Sequence, residues 1–195
     1  MVLSDSLSDA ELYIKSQWDQ KDGTIGTLPP FVQERIRKLV EDQAYDTKEY
    51  EDIDDILTTK FTCRTAPLPD CFLQSVNGAN EEIYVGMQGA SEFAIAGVLG
   101  DLNITHRLHE LRDLPVLLTH GKYDTMRPAV VQAMFNAIPL AEKFLLEKSG
   151  HVSMIDEPGK MNDAIAEFFD RVESSKLFTP KMTHAGRNEQ GRFPW

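Results

Sequence analysis

Apolar residues recur at helical spacing near the start of the chain. Over residues 7–18, Ala10, Ile14 and Trp18 fall on one face, and over residues 30–42 Val32, Ile36, Leu39 and Val40 fall on another, which predicts two amphipathic helices, the second opened by Pro29-Pro30. The segment Lys21 to Thr27 between them has the composition of a loop. The acidic stretch from Glu41 to Asp55 reads as a solvated helical surface. From Leu114 the texture changes. Pro115-Val116-Leu117-Leu118-Thr119, closing at Gly121, and Lys143-Phe144-Leu145-Leu146-Glu147, closing at Gly150, read as short buried strands. Between them Pro128 opens a helix that places Val130, Val131, Met134, Phe135 and Ile138 together, and after them Met161, Ile165, Phe168, Phe169 and Val172 share a face. This β-α-β-α order argues for a parallel sheet with helices packed on it, an α/β fold. Two strands make no stable sheet alone, so the pattern points to part of a larger unit. Residues 174–195 have no sustained period and read as an irregular tail.

A chain of 195 residues with 42% hydrophobic and 26% charged residues can bury a sizeable core. Its formal charge of −11 would repel phosphate backbones and anionic headgroups, which argues against nucleic acid and against a membrane surface. No apolar run approaches the roughly 18 residues that a membrane span needs, and Met1-Val2-Leu3 leads into Ser-Asp rather than a signal-peptide core, so a cytoplasmic protein is expected. Cys63 and Cys71 are expected to be reduced thiols. They do not provide a zinc set, and no cofactor is expected.

Catalytic groups of open α/β sheets collect at the carboxyl ends of the strands, where two polar candidates stand. Asp124 follows the first strand in His120-Gly121-Lys122-Tyr123-Asp124-Thr125-Met126-Arg127-Pro128, and His151 follows the second in Ser149-Gly150-His151. A carboxylate bonded to imidazole Nδ1 fixes the tautomer, leaving Nε2 to take a proton from a hydroxyl nucleophile. Each residue taken singly is more often a turn, cap or loop residue, but the pair at adjacent strand ends, in this order, reads as a base and its orienter.

These two motifs resemble the acid and histidine motifs of α/β-hydrolases. Together with Met87-Gln88-Gly89-Ala90-Ser91-Glu92-Phe93, the segment Tyr123 to Pro128 resembles the proline iminopeptidases among them, with similarity from about Leu3 to about Arg171. The resemblance implies the C-terminal portion of an α/β-hydrolase: a core-strand remnant over 1–6, a mainly helical cap over 7–112, the later core over 113–173 and the tail over 174–195. It implies Asp124 and His151 as catalytic residues. It further implies a short peptide with a free N-terminus as substrate, whose α-ammonium group Glu92 would bind by a charge-assisted hydrogen bond. Some relatives carry a glutamate directly after the acid. Thr125 stands there, which leaves broader aminopeptidase, amidase or esterase chemistry open.

The Gly-x-Ser-x-Gly turn that carries the nucleophile in this fold is absent from the sequence, as is a His-Gly-Gly oxyanion segment. Met1 to Ser6 resembles the strand that follows the nucleophile helix, so the chain is expected to begin just after the serine and to hydrolyse little by itself. The alternatives are a non-catalytic module that binds a partner, an N-terminal half or a second copy, and a part of another α/β-hydrolase.

Overall fold

The computed structural model describes residues 1–91, 93 and 95–174. Its sheet has three parallel strands in the order β1 (Val2–Ser4), β2 (Val116–Gly121) and β3 (Ala141–Leu146). Val2 stands opposite Leu117, and Val116 opposite Ala141, so β2 is central and every one of its residues is buried. β3 is buried at its ends and half-buried from Lys143 to Leu145, less enclosed than its apolar letters predict, because β2 flanks it on one side only among the described strands.

Between β1 and β2 runs a long helical crossover: α1 (Ala10–Gln17), α2 (Pro30–Glu41), α3 (Lys48–Leu57), a π-helical turn over Thr58–Thr62, α4 (Asp70–Asn77), α5 (Glu81–Met87) and a 3₁₀ helix over Thr105–Leu111. Asp9 caps α1 by accepting the Leu12 N–H at 2.9 Å, and Thr47 caps α3 through the Tyr50 N–H. α2 starts on Pro30, whose missing N–H costs nothing at a helix's first position. Ile36 and Leu39 of α2 are buried as the spacing predicts, with Val32 and Val40 half-buried. In α1 the inward face holds Ala10, Tyr13, Ser16 and Gln17, while Ile14 and Trp18 are half-buried and pack against two different apolar clusters. The polar loop between α1 and α2 turns inward, with Thr24 and Ile25 buried.

After β2 come α6 (Pro128–Ala137), β3, the single turn α7 (Ser153–Asp156) and α8 (Pro158–Ser174). Val116 and Leu118 meet Val131, Met134 and Ile138 in one cluster beneath α6. Strand alternation turns Leu117 and Thr119 to the opposite face. α8 packs against β2 and β3, burying Met161, Ala164 and Phe168 outside the α6 cluster. Phe169, expected on that inner face, is exposed, because it follows Phe168 by one helical step and a 100° rotation carries it off the stripe. The buried Glu142 of β3 is paired with Arg171 of α8. Ser174, read as the first residue of the tail, instead ends α8, and the rest of that expected tail, 175–195, lies outside the described residues.

Candidate functional site

Two loops leave the carboxyl ends of β2 and β3 and cross each other closely. A Cβ built on Gly121 would sit 2.3 Å from the carbonyl oxygens of both Ser149 and Gly150, so only glycine lets the end of β2 pass under the following loop. The Tyr123 N–H donates to the Ser149 carbonyl at 3.0 Å and the Lys122 N–H to Leu146 at 2.9 Å, which locks the two loops together.

That crossing brings the two candidates into contact. His151 Nδ1 lies 2.9 Å from Asp124 Oδ1, and since a carboxylate only accepts, Nδ1 carries the proton. Asp124 is fully buried. Oδ1 also accepts the Met126 N–H at 2.8 Å, while the Arg127 guanidinium donates to the Asp124 carbonyl at 2.8 Å. His151 keeps 28% of its side chain exposed, so the imidazole reaches the surface while its orienting acid does not. His120, which opens the motif, is buried and held neutral, its pKa pushed down to about 4 by burial.

The helical crossover fastens both loops. The Gln17 carboxamide of α1 donates to the Thr125 carbonyl at 2.7 Å, and its oxygen accepts Thr24 Oγ1. Thr125 itself is fully buried, with Oγ1 3.4 Å from Asp124 Oδ1, so it offers no group to a ligand. On the other side, the His151 N–H donates to Phe61 at 2.8 Å and the Val152 N–H to Thr62 at 2.9 Å, from the π-helical turn. Asp156 completes this seam by accepting the N–H groups of Arg64, Thr65 and Gly150 at 2.8–2.9 Å. The Arg64 guanidinium lies over the Tyr123 ring, 3.6 Å from its centroid.

Within the helical crossover is an apolar cavity of about 140 Å³, walled by Trp18, Ile36, Tyr50, Phe93 and the half-buried Asp54, among others. Tyr123, next to Asp124, packs on the same apolar cluster. Burial raises the Asp54 carboxyl, helped by the neighbouring Asp55 charge, and pushes the Tyr50 phenol up to about 12. Asp54, with Tyr50, departs from the reading of 41–55 as a solvated helical surface, because it lines the cavity. Tyr50, Asp54 and Leu57 follow helical i, i+4, i+7 spacing, and that signal could have turned this carboxylate inward from the sequence. Glu92, the expected ammonium ligand, lies outside the described residues; its neighbours Ser91 and Phe93 line the cavity. Ser91 Oγ accepts from the Tyr50 hydroxyl and the Phe93 N–H, and Ser149 Oγ donates to Glu157 at 3.0 Å, so both serines are engaged in structural bonds. Cys63 is buried, Cys71 is exposed, and both are free thiols. Among the described residues no cluster of His, Cys, Asp or Glu suits a metal ion, and no helix is long and apolar enough to cross a membrane.

A parallel sheet flanked by helices, with an acid and a histidine joined beyond adjacent strand ends, defines the class: this is an α/β-hydrolase fold. Within that class the chain resembles the proline iminopeptidases. It is 28% identical to the proline iminopeptidase of Clostridioides difficile over 171 residues, covering 87% of this chain and 56% of that one. With that of Heyndrickxia coagulans it shares 29% over 157 residues, 80% and 54% of the two chains. With that of Flavobacterium johnsoniae it shares 28% over 154 residues, 77% and 50%. The chain therefore spans about half the length of the curated relatives it matches. No family model matches it. Among solved structures, VinJ superposes with a TM-score of 0.79 at 23% identity, over 87% of this chain and 56% of that one. The proline iminopeptidase of Mycobacterium smegmatis gives 0.76 at 22%, with the same coverage. These two likenesses concern the fold.

Proposed function

We propose that the chain supplies the acid–base half and the substrate pocket of a serine aminopeptidase acting on peptides with a free N-terminus, prolyl peptides foremost. The hydrogen bond between Asp124 and His151 carries this reading, because it fixes the tautomer in which Nδ1 holds the proton and Nε2 is the nitrogen that would take one from a serine hydroxyl. Asp124 orients the ring and stabilises the imidazolium as the acyl-enzyme forms, and the same imidazolium then protonates the leaving amine. The apolar cavity bounded by Trp18, Ile36 and Phe93 would take the first side chain of the peptide. Glu92 would bind its ammonium group. The identities to proline iminopeptidases support the same substrate class.

The sequence contains no Gly-x-Ser-x-Gly turn, so the proposal assigns nucleophile and oxyanion donors to a segment outside it, and this chain by itself is expected to turn over little. The test is hydrolysis of a proline arylamide by this chain and by a form extended upstream through the serine turn of a relative. Turnover confined to the extended form supports the reading, and robust turnover by this chain alone overturns the division of labour. A second reading, a module that binds a partner without catalysis, is favoured by one observation: β1 is paired on one side only among the described strands. Inactivity of the extended form, together with capture of an N-terminal half, would shift the assignment to it.

A further inference from the structure

Asp5 follows β1 at the same end of the sheet and is a carboxylate that the catalytic pair does not itself require. It is 8% exposed, its backbone is left-handed at φ +47°, and its N–H donates to the Thr119 carbonyl at 2.9 Å, so the chain turns sharply to aim its side chain inward. There Oδ1 accepts Ser153 Oγ at 3.1 Å, Oδ2 accepts Ser4 Oγ, and the carboxyl group stands within hydrogen-bonding reach of the Asp124 carboxyl. On Asp124, Oδ1 is already engaged by His151 and the Met126 N–H, whereas Oδ2 is buried without a conventional donor. Two buried carboxylates at this range cannot both keep a charge cheaply, and a single proton between them removes the repulsion while giving Oδ2 its missing donor. Asp124, which faces an imidazole N–H and a backbone N–H, is the better place for the charge.

We infer that Asp5 is a positioning residue that works as a neutral acid, donating its carboxyl proton to Asp124 Oδ2 and so holding Asp124 Oδ1 toward His151. The titratable groups facing Asp5 are Asp124 and His151, with the hydroxyls of Ser4 and Ser153 beside them. Burial first and the Asp124 charge second push the Asp5 pKa up to about 8, against smaller downward effects of Ser4 and His151. As pH rises through that value, a second negative charge appears beside Asp124 and the donor to Oδ2 is lost. The inference rests on the reading of Asp124 and His151 as orienter and base, but it can be tested in this chain without any turnover.

The experiment is an NMR titration of aspartate side-chain carbons together with the Nδ1–H proton of His151, in the chain and in the variants Asp5→Asn and Asp5→Ala. The Asp5 carboxyl is expected to titrate near 8 instead of its ordinary 3.8. The His151 Nδ1–H signal should weaken from about pH 7 to about pH 9 along with it, within the margin of about one pH unit on either side of such a midpoint. Asp5→Asn, which donates but does not ionise, should keep that signal across the range, and Asp5→Ala should lose it at all pH values. Titration of Asp5 near 3.8, or a His151 signal that responds alike to both substitutions, overturns the inference. Failure of the arylamide assay would remove the peptidase reading and leave this titration unchanged, so the two failures are distinguishable.

Discussion

Asp156→Ala tests how strongly the helical crossover is tied to the histidine loop. The Asp156 carboxylate is half-buried and accepts three backbone N–H groups, those of Arg64 and Thr65 at 2.9 Å and of Gly150 at 2.8 Å, plus Thr65 Oγ1 at 2.9 Å. A hydrogen bond to a charged acceptor contributes about 1.5–3 kcal/mol when enclosed, and partial access for water brings each of these to about 1 kcal/mol. Truncation should therefore cost about 3–4 kcal/mol, a large share of a domain's usual margin. Asp156→Asn keeps an oxygen for Arg64 and Thr65 but turns an NH₂ group toward the Gly150 N–H, so it should cost about half as much. Urea unfolding followed by circular dichroism and tryptophan fluorescence gives the difference, and coincident transitions license its use as a free energy. Hydrogen exchange locates it: the amides of Arg64, Thr65 and Gly150 should lose protection in Asp156→Ala, while the β2 amides change only as far as global stability does. A loss below about 0.5 kcal/mol, or faster exchange spread evenly over the chain, would refute the picture of Asp156 as the fastening between the two regions.

Two further predictions concern the ground under the site. Gly121→Ala puts a methyl group 2.3 Å from two carbonyl oxygens and should destabilise the chain by more than about 2 kcal/mol in the same urea assay; a neutral result would mean that the two loops separate easily. His120, with a folded-state pKa near 4 against an ordinary 6.5, is protonated first in the unfolded chain, so its contribution is present above 6.5 and is lost as pH falls toward 4, by about 3 kcal/mol at most. Asp5, raised to about 8, has the opposite sign, its contribution being full below its ordinary 3.8 and lost as pH rises through about 8. Unfolding between about pH 4 and 7 should therefore fall less steeply with acid in His120→Gln than in the parent chain, and equal slopes would contradict the assignment.

The central strand and the helix after it were legible because a short apolar run in the one and a helical stripe in the other coincide with what is buried. Val116 and Leu118 of the strand meet Val131, Met134 and Ile138 of the helix in one cluster, so local pattern and tertiary packing agree. Asp124 and His151 were legible for a related reason: glycine after each strand marks a turn, and turns at the carboxyl ends of parallel strands share one edge of the sheet. The crossover was harder. α5 buries no residue and exposes Ile83, Tyr84, Val85 and Met87, so its apolar letters do not follow the face that packs. β1 is three half-buried residues long, too short for any period, and becomes a strand through pairing with Leu117 to Thr119 more than a hundred positions away.

What the sequence concealed most completely was which carboxylates matter. The chain has 31 acidic residues, and Asp5, Asp54 and Asp156 stand among them with no local mark except the helical spacing of Asp54. Their roles arise from partners that only the fold supplies: Asp156 from Arg64 and Thr65, and Asp5 from Ser153 and the uncovered oxygen of Asp124. Burial then decides what each one does. An exposed carboxylate is charged and contributes little, whereas one that reaches a buried site is either matched by donors, as Asp156 is by three N–H groups, or driven to keep its proton, as Asp5 is beside Asp124. On the proposed reading of His151 as the base, both outcomes serve its orientation at once: backbone donors anchor its loop from one side, and the inferred protonated acid supports the Asp124 carboxylate from the other.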